Sequence, residues 1–454
     1  MTISLAASVK SAAKLAAPVV LSRLSVLMIV TVDFIMTGQL TGALPHLDSS
    51  LELAALGLGA AMQGTLLVIG IRFLQGTMVL ASQAYGAGDL ALCGAVWRQS
   101  FIHATILSII LFVLCQFGTS FFLLVGFDAD LADGGGRVME AFAWGVPAFY
   151  FYVIATQVLE SLKRPLYGMV AVMIANVVNI GANWVLIPGN LGFPAMGAEG
   201  ATLATSLIRI GVAIGIIACL MLQADAAQLG VRRLGPMDWA LARKLRALGW
   251  PIAAAAFMEN SATALLAMLA GFLSAAALGG YQVAMNVTTL GMMIAIALSA
   301  ATTVQTGSAV GRQDQAGIAI AGWTGVGLGS LTLGVFAAIM MLLPETVAGL
   351  YTSDQAVRAI TALCLIIAGP ALVAGGLQSI IGGALRGLGD VWIPAYLNIV
   401  SYWLIAVPIS LLLTFVLDLG IGGLVGGLLI GAGTGAIMLA IRFRIVSRRT
   451  IERL

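Results

Sequence analysis

The chain has 454 residues, of which 60% are hydrophobic and only 9% are charged, with a formal net charge of +3. Soluble domains carry about a quarter charged residues, so the composition excludes a water-soluble enzyme or nucleic-acid-binding module and describes a polytopic membrane protein. The 55 glycines agree, because glycine lets transmembrane helices approach closely.

Twelve apolar spans follow in chain order, near residues 15–38, 51–80, 93–119, 132–160, 165–188, 197–222, 241–272, 275–308, 316–343, 355–384, 391–415 and 420–441. A bilayer core needs about 20 apolar residues at 1.5 Å each, and these spans supply them. The first follows Lys10 and Lys14 as a signal peptide would, but it is too long and lacks a convincing cleavage site, so it is predicted to remain as a helix. It carries Asp33, within Thr31-Val32-Asp33-Phe34-Ile35-Met36. An ionisable group at that depth costs roughly a few kcal/mol unless it is paired, hydrated or protonated, which marks Asp33 as a candidate functional residue.

The fifth span adds Asn179 and Asn183, four residues apart on one helix face, and the sixth adds Thr205. Carboxylate, amide and hydroxyl oxygens are the hard ligands a small cation prefers, so this cluster is predicted to couple to H+ or Na+, with Na+ at Asp33 as the metal alternative. Arg209, four residues beyond Thr205, is predicted to face the same cluster and to act as the charge partner of Asp33. Arg23 and Arg72 lie nearer helix ends and are predicted to snorkel.

The polar stretch Gln223 to Asp238 divides the spans six and six, which gives an N-terminal lobe over 1–222, a linker over 223–240, a C-terminal lobe over 241–446 and a basic tail over 447–454. On the seventh span stands Glu259, eight residues after Pro251. Burial disfavours the charged form of a carboxyl group, which suits such a residue to taking up and releasing a proton. Met36, Tyr150, Phe257, Met258, Met285 and Met292 are the candidates for a substrate cleft, since polarisable side chains suit flat organic cations.

Two further features organise the chain. With an even number of spans both termini fall on one side, and that side collects 17 of the 22 basic residues; the positive-inside rule then predicts cytoplasmic termini in a bacterial inner membrane. The halves also echo each other. Val79-x4-Ala84-x-Gly86-x2-Asp89 recurs as Val304-x4-Ala309-x-Gly311-x2-Asp314, Asn179-Ile180-x3-Trp184 as Asn398-Ile399-x3-Trp403, and Gly197-x2-Gly200 as Gly420-x2-Gly423. Three patterns in one order at nearly constant offset predict an all-α protein of two pseudo-symmetric six-helix lobes around a central cleft.

The run Ala16-Ala17-Pro18, the Val32-Asp33 stretch, Ala81 to Asp89, Asn179-Ile180 with Asn183-Trp184, Trp250 to Glu259, Tyr281 to Asn286, Gly307 to Gly311 and Leu385-Arg386-Gly387-x2-Asp390 together resemble the multidrug and toxic compound extrusion (MATE) family, nearest its bacterial NorM-like branch. The resemblance implies twelve helices in two lobes and efflux of cationic or amphipathic drugs in exchange for inward H+ or Na+. It also places Asp33, with Asn179, Asn183 and Thr205, at the N-lobe site and Glu259 at the C-lobe cation site. Relatives tend to carry a tenth-span aspartate where Gly375 stands here, and some carry a carboxylate at the position of Asn183; both departures weigh towards H+.

The closest alternative is a lipid or lipid-linked oligosaccharide flippase of the same wider superfamily, favoured by the three span arginines. An enzyme is not expected, because no catalytic His, Asp or Glu pair is clustered in the spans. Cys93, Cys115, Cys219 and Cys364 are scattered and predicted to be free thiols, and His46 and His103 lie too far apart for a metal site. Tyr85 to Asp89 and Gly311 to Asp314 are glycine-bearing turns without the Lys-Ser/Thr of a phosphate loop. The expected partners are therefore small cationic drugs and the lipid bilayer, with no nucleic acid, no cofactor beyond the coupling ion, and a functional monomer.

Overall fold

The computed structural model describes residues 5–41, 48–232, 235, 237–352 and 354–449, with side chains from residue 9 onward; His46, Arg233 and Arg453 lie outside them. The helices are α1 (Leu5–Thr41), α2 (Ser49–Phe73), α3 (Gly76–Gly86), α4 (Leu90–Cys115), α5 (Gly118–Val125), α6 (Ala129–Ala143), α7 (Val146–Ser161), α8 (Leu166–Leu186) and α9 (Gly197–Met221). After the short α10 (Ala226–Leu229) come α11 (Trp239–Leu273), α12 (Ala275–Gly311), α13 (Gln315–Leu342), α14 (Pro344–Gly349), α15 (Gln355–Gly387), α16 (Trp392–Ile399), α17 (Val407–Leu411) and α18 (Gly420–Val446). Among the described residues there is no strand.

Among the described residues eleven helical stretches are long and apolar enough to cross a membrane, and α6 with α7, bent by 49°, makes a twelfth if the pair is one span. These twelve match the spans read from the sequence. Pro147, at the start of α7, explains the bend: it lacks an N–H and its ring clashes with the carbonyl one turn back. Polar caps end the spans where the hydropathy falls. Asp48 accepts from the backbone of Ser50 and Leu51 at the start of α2, and Asp314 and Asp354 cap α13 and α15. At Asp48 the Ser50 hydroxyl, then the Ser50 and Leu51 N–H groups, hold the carboxyl below the usual carboxylate range.

The internal repeat is also written in the backbone. Left-handed residues recur at matched turns: Gly88 (φ 77°) and Gln313 (φ 57°), Lys163 (φ 60°) and Gly389 (φ 82°), Gly197 (φ 54°) and Gly420 (φ 55°). The glycine-bearing turns after α3 and α12 therefore reverse the chain between helices, as the sequence predicts.

The chain forms two compact units, and each draws on both halves of the sequence. One comprises Leu21–Ala81 and Leu90–Gly249 and is here called the Asp33 unit; the other comprises Met1–Val20, Ser82–Asp89 and Trp250–Leu454 and is called the Glu259 unit. In the Asp33 unit α7, α8 and α9 pack on one another, and Gly70 of α2 accepts the Tyr150 ring so closely that a Cβ there would overlap its hydroxyl. In the same unit Arg164 grips Asp225 through two N–H donors, at 2.8 and 2.9 Å, and also donates to Gln223, which ties the α7–α8 turn to the segment after α9. That bidentate pairing holds the Asp225 carboxyl below its usual range. In the Glu259 unit the core is built from α12, α13, α15 and α18, with Leu385, Leu439 and Phe443 fully buried.

Candidate coupling site

Helix spacing assembles the Asp33 cluster. Asp33 lies one face of α1 deep in the unit and is 7% exposed, while Asn179 and Asn183 sit one turn apart on α8 and are wholly buried. Asp33 Oδ1 accepts from Asn183 Nδ2 at 2.7 Å and from Asn179 Nδ2 at 3.1 Å, and Oδ2 accepts from the Thr205 hydroxyl of α9 at 2.7 Å. Asn179 Nδ2 also reaches Thr205 Oγ1 at 3.2 Å, and Asn183 Nδ2 reaches Asn179 Oδ1 at 3.3 Å. All four residues expected from the sequence are thus in one network. Every partner directs a hydrogen at the carboxylate, which accepts from all three side chains.

Arg209 stands beside this network without closing it. Its guanidinium lies over the rings of Phe142 and Phe149, at 4.7 and 5.0 Å from their centroids, and its buried Nη1 has no hydrogen-bond partner. Arg209 and Asp33 feel each other's charge, but among the described residues Arg209 makes no ion pair, so the direct contact expected from the sequence is not present. Two aromatic faces offer a desolvated guanidinium a competing site, and they hold it there. Beside Arg209 is a cavity of about 50 Å³ bordered by α1, α7, α8 and α9, with Thr205 on its wall.

Glu259 belongs to the other unit. It is half-buried on α11 and Oε1 accepts from the Tyr402 hydroxyl at 3.1 Å, while Trp403 Nε1 donates to the Met258 carbonyl at 2.9 Å. Tyr402 and Trp403 are neighbours in the π-helical stretch Val400–Ala406, between α16 and α17. Asn398, the repeat mate of Asn179, bonds Gln378 at 2.7 Å instead of a carboxylate.

Of the cleft candidates, Tyr150 is only 1% exposed and packs against Gly70 in the core of its unit, so its ring is not offered to a substrate. Met36, Met258, Met285 and Met292 are partly exposed, and Phe257 is 46% exposed. Arg23 has a partner that the sequence did not suggest: its Nη2 is 3.8 Å from Oε1 of Glu160, a buried acid at the end of α7. Sequence reasoning passed over Glu160. Its place just before Lys163 and Arg164 resembles ordinary charge at a span's edge, and its distance along the chain from Arg23 gave no spacing signal.

With this geometry in place, comparison with known proteins is decisive. The MatE family model matches residues 18–185 and 251–412, well over half the chain. The chain belongs to the MatE family. Both matched segments open on a proline, Pro18 and Pro251, so the family's pattern is met once in each half. The probable multidrug resistance protein NorM of Caulobacter vibrioides is 30% identical over 437 residues, covering 96% of this chain and 91% of that protein. The protein of the same name from Xanthomonas axonopodis pv. citri is 30% identical over 447 residues, covering 98% and 95%. A solved outward-facing structure of a multidrug resistance MATE family transporter of the MOP superfamily shares the fold, with TM-score 0.87 at 20% identity over 97% of this chain and 96% of that one. This MatE chain is therefore a member of a family of membrane-spanning transporters.

Proposed function

We propose that the protein is a secondary active efflux antiporter that exports cationic or amphipathic organic compounds in exchange for inward-moving H+. The observation that carries this reading is a single carboxylate, Asp33, inside a membrane span and ringed by three hydrogen-bond donors. In a bilayer such a group is expensive unless its protonation is used. Glu259, bonded to Tyr402, is the second acid of the exchange. The basic residues gathered on one side support an inner-membrane location with both termini in the cytoplasm. A flippase would need an open basic cavity, and the ion pair of Arg23 with Glu160 removes one of the three arginines that favoured it.

Exchange requires that proton and substrate bind two facing states with different affinities, since only differential affinity shifts the equilibrium. The test is uptake of a fluorescent organic cation into inverted vesicles with the Na+ and pH gradients imposed separately. A pH gradient alone should drive transport, Asp33→Asn should abolish it, and Glu259→Gln should reduce it. Wild-type transport in both variants, or transport driven by Na+ alone, contradicts the reading.

A further inference from the structure

The two halves repeat more than their turns. Tyr402 lies four residues after Asn398, as Asn183 lies four after Asn179, so Tyr402 holds in the second half the place of Asn183 in the first. Asn183 gives Asp33 its shortest amide hydrogen bond, at 2.7 Å. Tyr402 gives its hydroxyl hydrogen to Glu259 Oε1 at 3.1 Å. One position of the repeat therefore serves an intramembrane acid in each half, although the acids themselves stand at unmatched places on α1 and α11.

A π-helical turn takes more residues than an α-helical one, so successive side chains diverge less around its axis. Over Val400–Ala406 that brings Tyr402 and Trp403 to the same neighbour. Tyr402 takes the Glu259 carboxyl, and Trp403 takes the carbonyl of Met258, the residue before it, at 2.9 Å. The side chain of the acid and the backbone beside it are thus held by two adjacent residues. Tyr402 is 8% exposed, and among the described residues it is the side-chain donor to this carboxyl, which no ion pair reaches.

We propose that Tyr402 is the positioning residue of Glu259, holding the acid in one place whether or not it carries a proton. The proposal rests on Glu259 as the second acid of the exchange. An amide N–H only donates, whereas a hydroxyl both donates and accepts. With Glu259 ionised, the Tyr402 hydroxyl donates to Oε1. A proton bound at Oε2 leaves that bond as it is. A proton bound at Oε1 forms an O–H that Tyr402 accepts once its own hydrogen swings away. In both cases the added proton stays on the acid and the tyrosine keeps its own, so only the carboxyl changes charge. The donors to Asp33 Oδ1 have no such freedom, since Asn179 and Asn183 both meet it through Nδ2. A proton at that oxygen would face two N–H groups.

The test uses the full chain in proteoliposomes and compares the wild type with Glu259→Gln, Tyr402→Phe and Trp403→Phe. Infrared difference spectra between alkaline and acid pH should show, in the wild type, a carboxylic-acid carbonyl band that Glu259→Gln lacks. Tyr402→Phe, which removes the hydroxyl alone, should displace that band, and Trp403→Phe should leave it where it is. Ethidium transport should turn over about tenfold more slowly in Tyr402→Phe, with ethidium affinity unchanged. If Tyr402→Phe does not fold, fluorotyrosine incorporated throughout the wild type, which makes the hydroxyl a stronger donor, should displace the same band. An unmoved band or wild-type turnover in Tyr402→Phe, or an unmoved band in the fluorotyrosine protein, overturns the positioning role and leaves Glu259 as a coupling acid. A band displaced equally by Trp403→Phe also overturns that role, because loosened packing would then suffice. A wild-type spectrum with no band that depends on Glu259 overturns the second acid and the role of Tyr402 with it.

Discussion

Asp33 takes its three hydrogen bonds from partners that differ in what their loss does. Thr205→Val strips Oδ2 of its donor in a buried site, a penalty of about 1–3 kcal/mol on the ionised state. Asn179→Ala removes the longer of two bonds to Oδ1 and leaves Asn183 in place. Vesicle transport assayed across pH should therefore fall much further in Thr205→Val than in Asn179→Ala; equal loss would mean that Thr205 acts only through packing. These residues were legible because one-turn spacing on α8 and the position of Thr205 on α9 fix which faces meet. Arg209 does lie beside the cluster within reach of the Asp33 charge, as expected, but its lack of direct contact was not legible, for the converse reason. A long side chain chooses among neighbours three turns apart, and the rings of Phe142 and Phe149 that hold it come from other helices.

At the scale of elements, the turns carry strain that the repeat distributes unevenly. Gly197 and Gly420 open α9 and α18 with the same left-handed backbone. A Cβ on Gly197 would overlap the Glu52 carboxylate, which accepts from the Ala198 N–H at 2.6 Å, whereas a Cβ on Gly420 meets open space. Each alanine substitution costs about 1–2 kcal/mol for the backbone, and Gly197→Ala adds the displacement of Glu52. Thermal unfolding in detergent should thus rank the wild type above Gly420→Ala and Gly420→Ala above Gly197→Ala. The spans themselves were readable from hydropathy, because a bilayer imposes length and polarity together. The π-helical stretch that brings Tyr402 and Trp403 to the Glu259 turn left no comparable mark, since one extra residue in a helical turn changes neither.

For the molecule as a whole, sidedness and pH meet at the Arg164–Asp225 pair. Because the Asp225 carboxyl is held below its usual value, the pair's contribution is complete above the ordinary carboxylate range and is lost as pH falls through the lowered value. A spin label at the exposed Gln228 should be immobile at neutral pH, gain mobility below about pH 4, and be mobile at every pH in Arg164→Ala. The same label should be reduced by ascorbate only from the cytoplasmic side. Mobility that does not change with pH in the wild type would show that the pair does not tether this segment.

The left-handed residues paired between the halves, Gly88 with Gln313, Lys163 with Gly389 and Gly197 with Gly420, bear on ancestry as well as on folding. Matched turns surrounding unmatched acids are what a duplicated gene leaves when both copies must still fold but only one need keep each chemical task. Asp33 has no counterpart acid on α11, and Glu259 has none on α1. The two halves therefore share a pattern of turns without sharing the placement of their acids.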